Sequence, residues 1–376
     1  MRLFLMASAL LVCLSGFAQK YYLFVGTYTN NDSKSKGIYV YRFDAATGEA
    51  SPVSTIATEN PSYLALAPGG KFLYAVNETD GETPGGISAF AFDKASGQLR
   101  FLDKQASGGD DPCYVTIDKG RKWAFVANYG GGNLSALPIH ADGSLGALTQ
   151  LIQHSGTGYD AQRQGKPHVH SVTLTPDERY LVAADLGLDK ISLYRFNAGS
   201  PTHPLAVPKD SAVRVSPGSG PRHISFSPHK PYAYLMTEMG GAVEAFRYTD
   251  GHLTPLQHIS SHPEGYKGDI GSADIHVAPG GRFLYASNRG DANSLAIYAI
   301  DTATGKLTVK GFESTGGKTP RNFMIDPTGH WLLVANQRSD NIVIFRIDPK
   351  TGLLKATGKP IAIPAPVCLK TGPLMP

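Results

Sequence analysis

The sequence predicts an all-β protein, a seven-bladed β-propeller of four-stranded antiparallel blades, and three observations predict it. A motif of two strand signals joined by a turn recurs about every fifty residues. The strand that follows each copy alternates with period two, and no stretch shows helical periodicity. The chain ends are complementary, because the N-terminus lacks a strand that the C-terminus can supply.

Composition narrows the function classes. The 376 residues are 41% hydrophobic and 18% charged, with a formal net charge of +4. So small an excess gives no basis for nucleic-acid or membrane-surface binding. The 42 glycines and 26 prolines point to many tight turns. The length exceeds that of a usual domain, so two domains or one repeat architecture is expected.

The first residues stand apart. Arg2 precedes an apolar run from Leu3 to Val12, and the segment closes in Gly16-Phe17-Ala18-Gln19. Small residues thus precede a cleavage after Ala18, as in a secretory signal peptide, and the run is short for a membrane span. Val12 before Cys13 stands where a lipoprotein signal would have a small residue. The expectation is a cleaved signal peptide over 1–18 and a single propeller domain over 19–376. The mature chain would be exported to a periplasm or beyond, with no membrane span. Cys113 and Cys368 are too few for a disulfide framework, and no Cys/His cluster has zinc spacing.

The blades follow in order. YYLFVGTYT from Tyr21 matches the second strand of a blade and GIYVYRFD from Gly37 its third. Full copies of the motif are PSYLALAPGGKFLYAVN from Pro61, PCYVTIDKGRKWAFVAN from Pro112, SADIHVAPGGRFLYASN from Ser272 and PRNFMIDPTGHWLLVAN from Pro320. Looser copies start at His170 and Pro221. The polar residue closing strand two is read at Asn77, Asn128, Asp185, Glu238, Asn288 and Asn336, at spacings of 51, 57, 53, 50 and 48. Alternating third strands such as ISAFAFD from Ile87 come next, then turns such as TGKL and TGLL. Pro366-Val367-Cys368-Leu369 resembles the opening of a blade at Pro112, so the last strand completes the first blade and removes the open edges.

Propeller topology gathers the start of every first strand and the end of every second strand on one rim. Counting back six residues from the turn proline or its equivalent puts Ser62, Cys113, His170, Arg222, Ala273 and Arg321 level. His223 and Asp274 follow two of these, Glu78, Tyr129 and Arg289 follow strand-two ends, and His168 lies two residues before His170 on the same side of an extended chain. Positions further into the strands are apolar. Asn and Asp at strand ends also serve as turn residues, and Arg222 with Glu238 could be a pair internal to one blade. Gly130-Gly131-Gly132 has no following helix, and neither GxSxG nor HExxH occurs.

At these residues the chain resembles the seven-bladed β-propeller lactonase family, whose bacterial members include 6-phosphogluconolactonases, and is similar to the fungal carboxy-muconate cyclases. The likeness spans the mature chain and rests on ANYGGGNLSALPI from Ala127, KPHVHSV from Lys166, GPRHISFSP from Gly220 and SNRG from Ser287. It implies hydrolysis of a sugar lactone and, by comparison with the cyclases, a group of one histidine, two arginines and a glutamate. The matching positions are His168 or His170, Arg222, Arg289 and Glu238. Lactone opening needs a base, usually histidine, and fixed donors where the oxyanion forms, for which Arg222 and Arg289 are suited. Arg321 would grip a carboxylate or phosphate, and Glu238 would orient a neighbour or act as acid and base. His223, Asn128, Tyr129, Asp185 and Asn336 are expected to contact substrate.

No cofactor is expected. The alternative is calcium held by the Asn77, Asn128, Asp185, Glu238, Asn288 and Asn336 oxygens, which nearby arginines would oppose. Two further functions compete with lactone hydrolysis: a muconate-type lactonising cyclase, and a non-enzymatic exported propeller that binds a ligand or partner across its rim. An export signal departs from a cytosolic role, so a non-phosphorylated aldonolactone stands beside 6-phosphogluconolactone as the expected substrate.

Overall fold

Each copy of the motif folds into one antiparallel sheet in the computed structural model, which describes residues 19–30, 33–207 and 212–374. The expected signal peptide lies outside the described residues. Strands are laid down from the axis outwards. In the second blade Leu64–Leu66, Phe72–Asn77, Gly86–Asp93 and Gln98–Ala106 pair in that order. The next five blades begin with the inner strands Pro112–Ile117, Val169–Leu174, Pro221–Phe226, Ser272–Val277 and Pro320–Ile325.

The first blade draws on both chain ends. Lys20–Thr27, Gly37–Asp44 and Glu49–Ala57 form its outer three strands, and Pro366–Leu374 pairs with Lys20–Thr27 as the inner one. The seven inner strands neighbour one another in a closed ring, so the protein is a seven-bladed β-propeller. In two blades the outermost strand is split in two, as Leu205–Ala206 with Ala212–Arg214, and Leu354–Ala356 with Ile361–Ala362. The described residues include no α-helix, only the 3-10 turns Leu186–Leu188 and Gln337–Ser339.

The strand chemistry follows from position. Second strands are covered on both faces, so Trp123–Asn128 and Trp331–Asn336 are buried throughout and read as continuous apolar runs. Between blades, Phe92 packs edge-on against Tyr22 and Phe24. Buried tyrosines also tie several blades to the next. Tyr234 and Tyr285 donate their hydroxyls to the turn carbonyls of Gly305 and Gly352 at 3.0 and 2.8 Å. The TGLL turn requires its glycine twice over. Gly352 has φ +75°, and a Cβ there would come within 2.5 Å of the Phe283 ring.

Candidate active site

The openings of six inner strands depart from the ladder, and that departure builds the site. Pro112 pairs with Asn128 and Tyr114 with Ala127, so Cys113 has no residue opposite it. The same skip leaves out His170, Arg222, Arg321 and, in the closing strand, Val367. A bulge of this kind turns one side chain away from the sheet. Four of them, Cys113, His170, Arg222 and Arg321, are among the positions that alignment on the turn proline set level.

A second ring comes from the residues just beyond strand two. Here the register corrects the sequence reading of Glu238. Thr237 pairs with Ala242 just as Asn128 pairs with Asn133 and Asn336 with Asn341, so Thr237 is the strand-two end. The nine-residue interval from turn proline to strand end, kept from Pro68 to Asn77 and from Pro176 to Asp185, also falls on Thr237 when counted from Pro228. Glu238 therefore stands level with Glu78, Tyr129 and Arg289, one step closer to the channel mouth.

Glu238 is the hub. Its Oε2 lies 3.0 Å from Arg222 Nε and 2.8 Å from Arg289 Nη2, its Oε1 lies 2.8 Å from Arg163 Nη2, and His170 Nε2 is 4.0 Å away. Against the cost of burial, Arg289 and Arg222 hold its carboxyl well below the usual range. Burial pulls the Arg289 guanidinium down to about 10, with Glu238 opposing, so it stays charged at neutral pH. Arg289 also donates to the Gly271 and Ser272 carbonyls. Burial, then Arg222 and His223, push His170 well below its ordinary value, and burial lowers His168 too. Both imidazoles are neutral at physiological pH.

A second network lies beneath the first. Arg222, 1% exposed, donates to the Ala273 carbonyl at 2.7 Å and to His223 Nε2 at 3.2 Å. His223 must then carry its proton on Nδ1, which donates to Asp274 Oδ1 at 2.7 Å. Asp274 Oδ2 accepts from His276 and Asn322, joining blades five, six and seven. Tyr63 and Tyr114 stack at 4.0 Å and meet His223 edge-on, filling the channel below. His223 thus sits in the floor rather than in the open space.

Above this floor is a cavity of about 300 Å³ lined by His170, Tyr129, Glu238, Arg289 and Arg321 together with Glu78, Asp111, Cys113 and Arg163. A wider groove of about 890 Å³ shares Glu78 and Asp111 with it. Arg321 sits 5.3 Å over the Tyr28 ring and 3.7 Å from Glu78 Oε1, which also accepts from the Tyr28 hydroxyl at 2.7 Å. His168 stacks on Tyr129 at 4.3 Å and donates from Nδ1 to the Tyr129 carbonyl at 2.9 Å.

Asn128, Asp185 and Asn336 are placed differently from the expectation that they touch substrate. Each is buried and bonded to the loop that leads into its blade, Asn128 to the Ser107 carbonyl, Asp185 to His154 and the His168 amide, and Asn336 to the Thr315 carbonyl. The strand-end amides act as pins for the loops between blades, and Asn77 and Asn288 do the same.

Two cavity residues, Arg163 and Asp111, were not singled out from the sequence. Arg163 comes from the loop before the fourth blade, and its one trace was the longest repeat interval, 57 residues. Asp111 sits just ahead of a strand, where an acid reads as an ordinary turn residue.

Comparison with known proteins bears on this geometry. The family described as "Lactonase, 7-bladed beta-propeller" matches residues 22–371. A 6-phosphogluconolactonase of Bacillus subtilis is 36% identical over 354 residues, covering 93% of this chain and 98% of the relative. One of Formosa agariphila is 38% identical over 335 residues, covering 89% and 94%. The solved structure of the Pseudomonas aeruginosa periplasmic gluconolactonase superposes with a TM-score of 0.89 at 38% identity, covering 95% of this chain and all of that one.

Proposed function

Because the chain belongs to the seven-bladed β-propeller lactonase family, a family of lactone hydrolases, we propose that it opens a sugar lactone, 6-phosphogluconolactone or a related aldonolactone, by attack of water on the ring carbonyl. The observation that carries this reading is one buried carboxylate, Glu238, holding three arginines beside a cavity at the small end of the range for small-molecule sites. The arginines are fixed before substrate arrives, so stabilising a developing oxyanion costs no reorganisation. Arg289 and Arg321 face the space, while Arg222 lies beneath and anchors Glu238.

His170 is the imidazole at the cavity, with His168 at its mouth. Held neutral, His170 can accept a hydrogen bond from the attacking water and aim its lone pair. The same burial and arginines oppose an imidazolium, so His170 does not keep the proton while the ring opens. Glu238 is unsuited to that task, because its two oxygens are shared among three guanidinium groups.

Export is part of the proposal, carried by the signal-like residues 1–18 and consistent with the periplasmic gluconolactonase named above. No helix among the described residues is long and apolar enough to cross a membrane.

The test is acid release by the chain from Gln19, measured on 6-phosphogluconolactone, gluconolactone and a muconolactone, with and without EDTA. Opening of a sugar lactone that survives EDTA and is lost in Arg289→Ala supports the reading. Turnover of the muconolactone alone favours the cyclase alternative. No turnover above background favours a binding propeller, and loss to EDTA restores the calcium alternative.

A further inference from the structure

The cavity is electrostatically two-sided. Arg289 and Arg321 come from blades six and seven, with Glu238 of blade five bound to Arg289, while Glu78, which reaches Arg321, and Asp111 come from blades two and three. A lactone lying between them would have its carbonyl oxygen toward the guanidinium groups and its opposite face toward the carboxylates. Resting on the lactonase reading, we propose that Asp111 is the acid–base residue of the reaction, taking a proton from the attacking water and returning it to the leaving ring oxygen.

The geometry singles out Asp111 among the cavity acids. Glu238 is committed to arginines, and Glu78 Oε1 to Tyr28 and Arg321. Among the described residues the Asp111 carboxylate has neither an ion pair nor a hydrogen bond, so its lone pairs are open to water. It lines both the cavity and the wide groove. Gly130 makes room for it, since a Cβ there would come within 2.5 Å of Asp111 Oδ2. The backbone at this position is left-handed in several blades, with φ +36° at Asn60, +50° at Asp111, +64° at Gly220 and +60° at Thr319. The conformation thus belongs to the fold, and the carboxylate is what distinguishes this copy.

Electrostatics agrees with the placement. Burial, then Glu78, Asp80 and Asp110, raise the Asp111 carboxyl to about 6, with Lys166 opposing. A base with that affinity is ionised at neutral pH yet able to hold a proton briefly.

The step balances. Asp111 accepts one proton of the water as its oxygen bonds to the carbonyl carbon, and the carbonyl electron pair moves onto oxygen facing the arginines. When that pair returns, the bond from carbon to the ring oxygen breaks, and the departing alkoxide takes the proton from Asp111. The new carboxylic acid then ionises to solvent.

Asp111→Asn preserves shape and backbone, because Asn60 already occupies the equivalent position. On the best sugar lactone its kcat is expected to fall about 10²- to 10³-fold with KM little changed. The wild-type loss of rate below pH 6 is expected to vanish. Asp111→Gly, which also suits the left-handed backbone, is expected to regain activity with added formate, a rescue that a structural role would not allow. A wild type that opens lactones beside an Asp111→Asn variant within twofold of it, acid limb intact and Asp111→Gly unresponsive to formate, would overturn the assignment alone. A wild type that opens no lactone would overturn the lactonase reading and this one with it.

Discussion

Arg222 Nε and Glu238 Oε2 lie 3.0 Å apart in one blade, at the bulge opening its inner strand and just past the end of its second. Sixteen residues separate them in the chain. The pair is closed by a hairpin but opened to its neighbours, since Glu238 continues to Arg289 and Arg163 and Arg222 continues to His223 and Ala273.

Glu238→Gln leaves these cations with a neutral partner in a buried setting. A loss of about 3–5 kcal/mol is expected, as when one member of a buried pair is removed, read as a lower urea midpoint together with lost turnover. A midpoint within the error of wild type would show that solvent, rather than Glu238, compensates the arginines.

Arg289→Lys keeps a charge but cannot reach Gly271, Ser272 and Glu238 together with one ammonium group. A fall of about 10²- to 10³-fold in kcat/KM is expected in an acid-release assay on the sugar lactone. Wild-type rates would remove Arg289 from the oxyanion site.

Acid should weaken the fold from mildly acidic pH. Burial, then Arg222, lowers His223 to about 3, and His170 is also held well below its usual value. Below about 6.5 the unfolded chain binds protons at these sites that the folded chain does not, so stability falls as pH falls. Each histidine contributes a slope of up to about 1.4 kcal/mol per pH unit. Glu238 and Asp274, whose carboxyls are held low, contribute fully above the ordinary carboxyl range and lose that contribution progressively as pH falls from that range toward their lower folded-state values. Urea midpoints from pH 7 to pH 4 are expected to decline, and His170→Gln to make the decline shallower. An unchanged slope would show that His170 protonates freely in the folded state.

Deleting Pro366–Leu374 removes the inner strand of the first blade, buried Val367, Cys368 and Leu369 included. The truncated chain then exposes the inner edge of Lys20–Thr27. Loss of soluble monomer is expected by size-exclusion chromatography, and a separately added Pro366–Leu374 peptide is expected to restore part of it.

The blades were legible because their signals are local. Alternation at Ile87, the turn proline at Pro68 and the turn glycine at Gly352 each report on a few neighbouring residues, and repetition multiplies them. Counting back from the turn reached His170, Arg222 and Arg321 for the same reason, since a constant turn length fixes the register. The strand-end residues misled. A polar side chain after an apolar run looks alike whether it faces a cavity or pins its own loop, as Asn128 and Asn336 do.

By itself the sequence determined the number of blades, their strand order and the closure of the ring, because these follow from short-range pattern and from the pairing of two incomplete ends. Only the tertiary structure decided that one carboxylate would hold arginines from three separate stretches of chain, that Arg163 would reach the cavity from a loop, and that Asp111 would line the same cavity. Those contacts join side chains far apart in the chain, and they depend on ring curvature and on the reach of single side chains and loops, which the repeat does not encode.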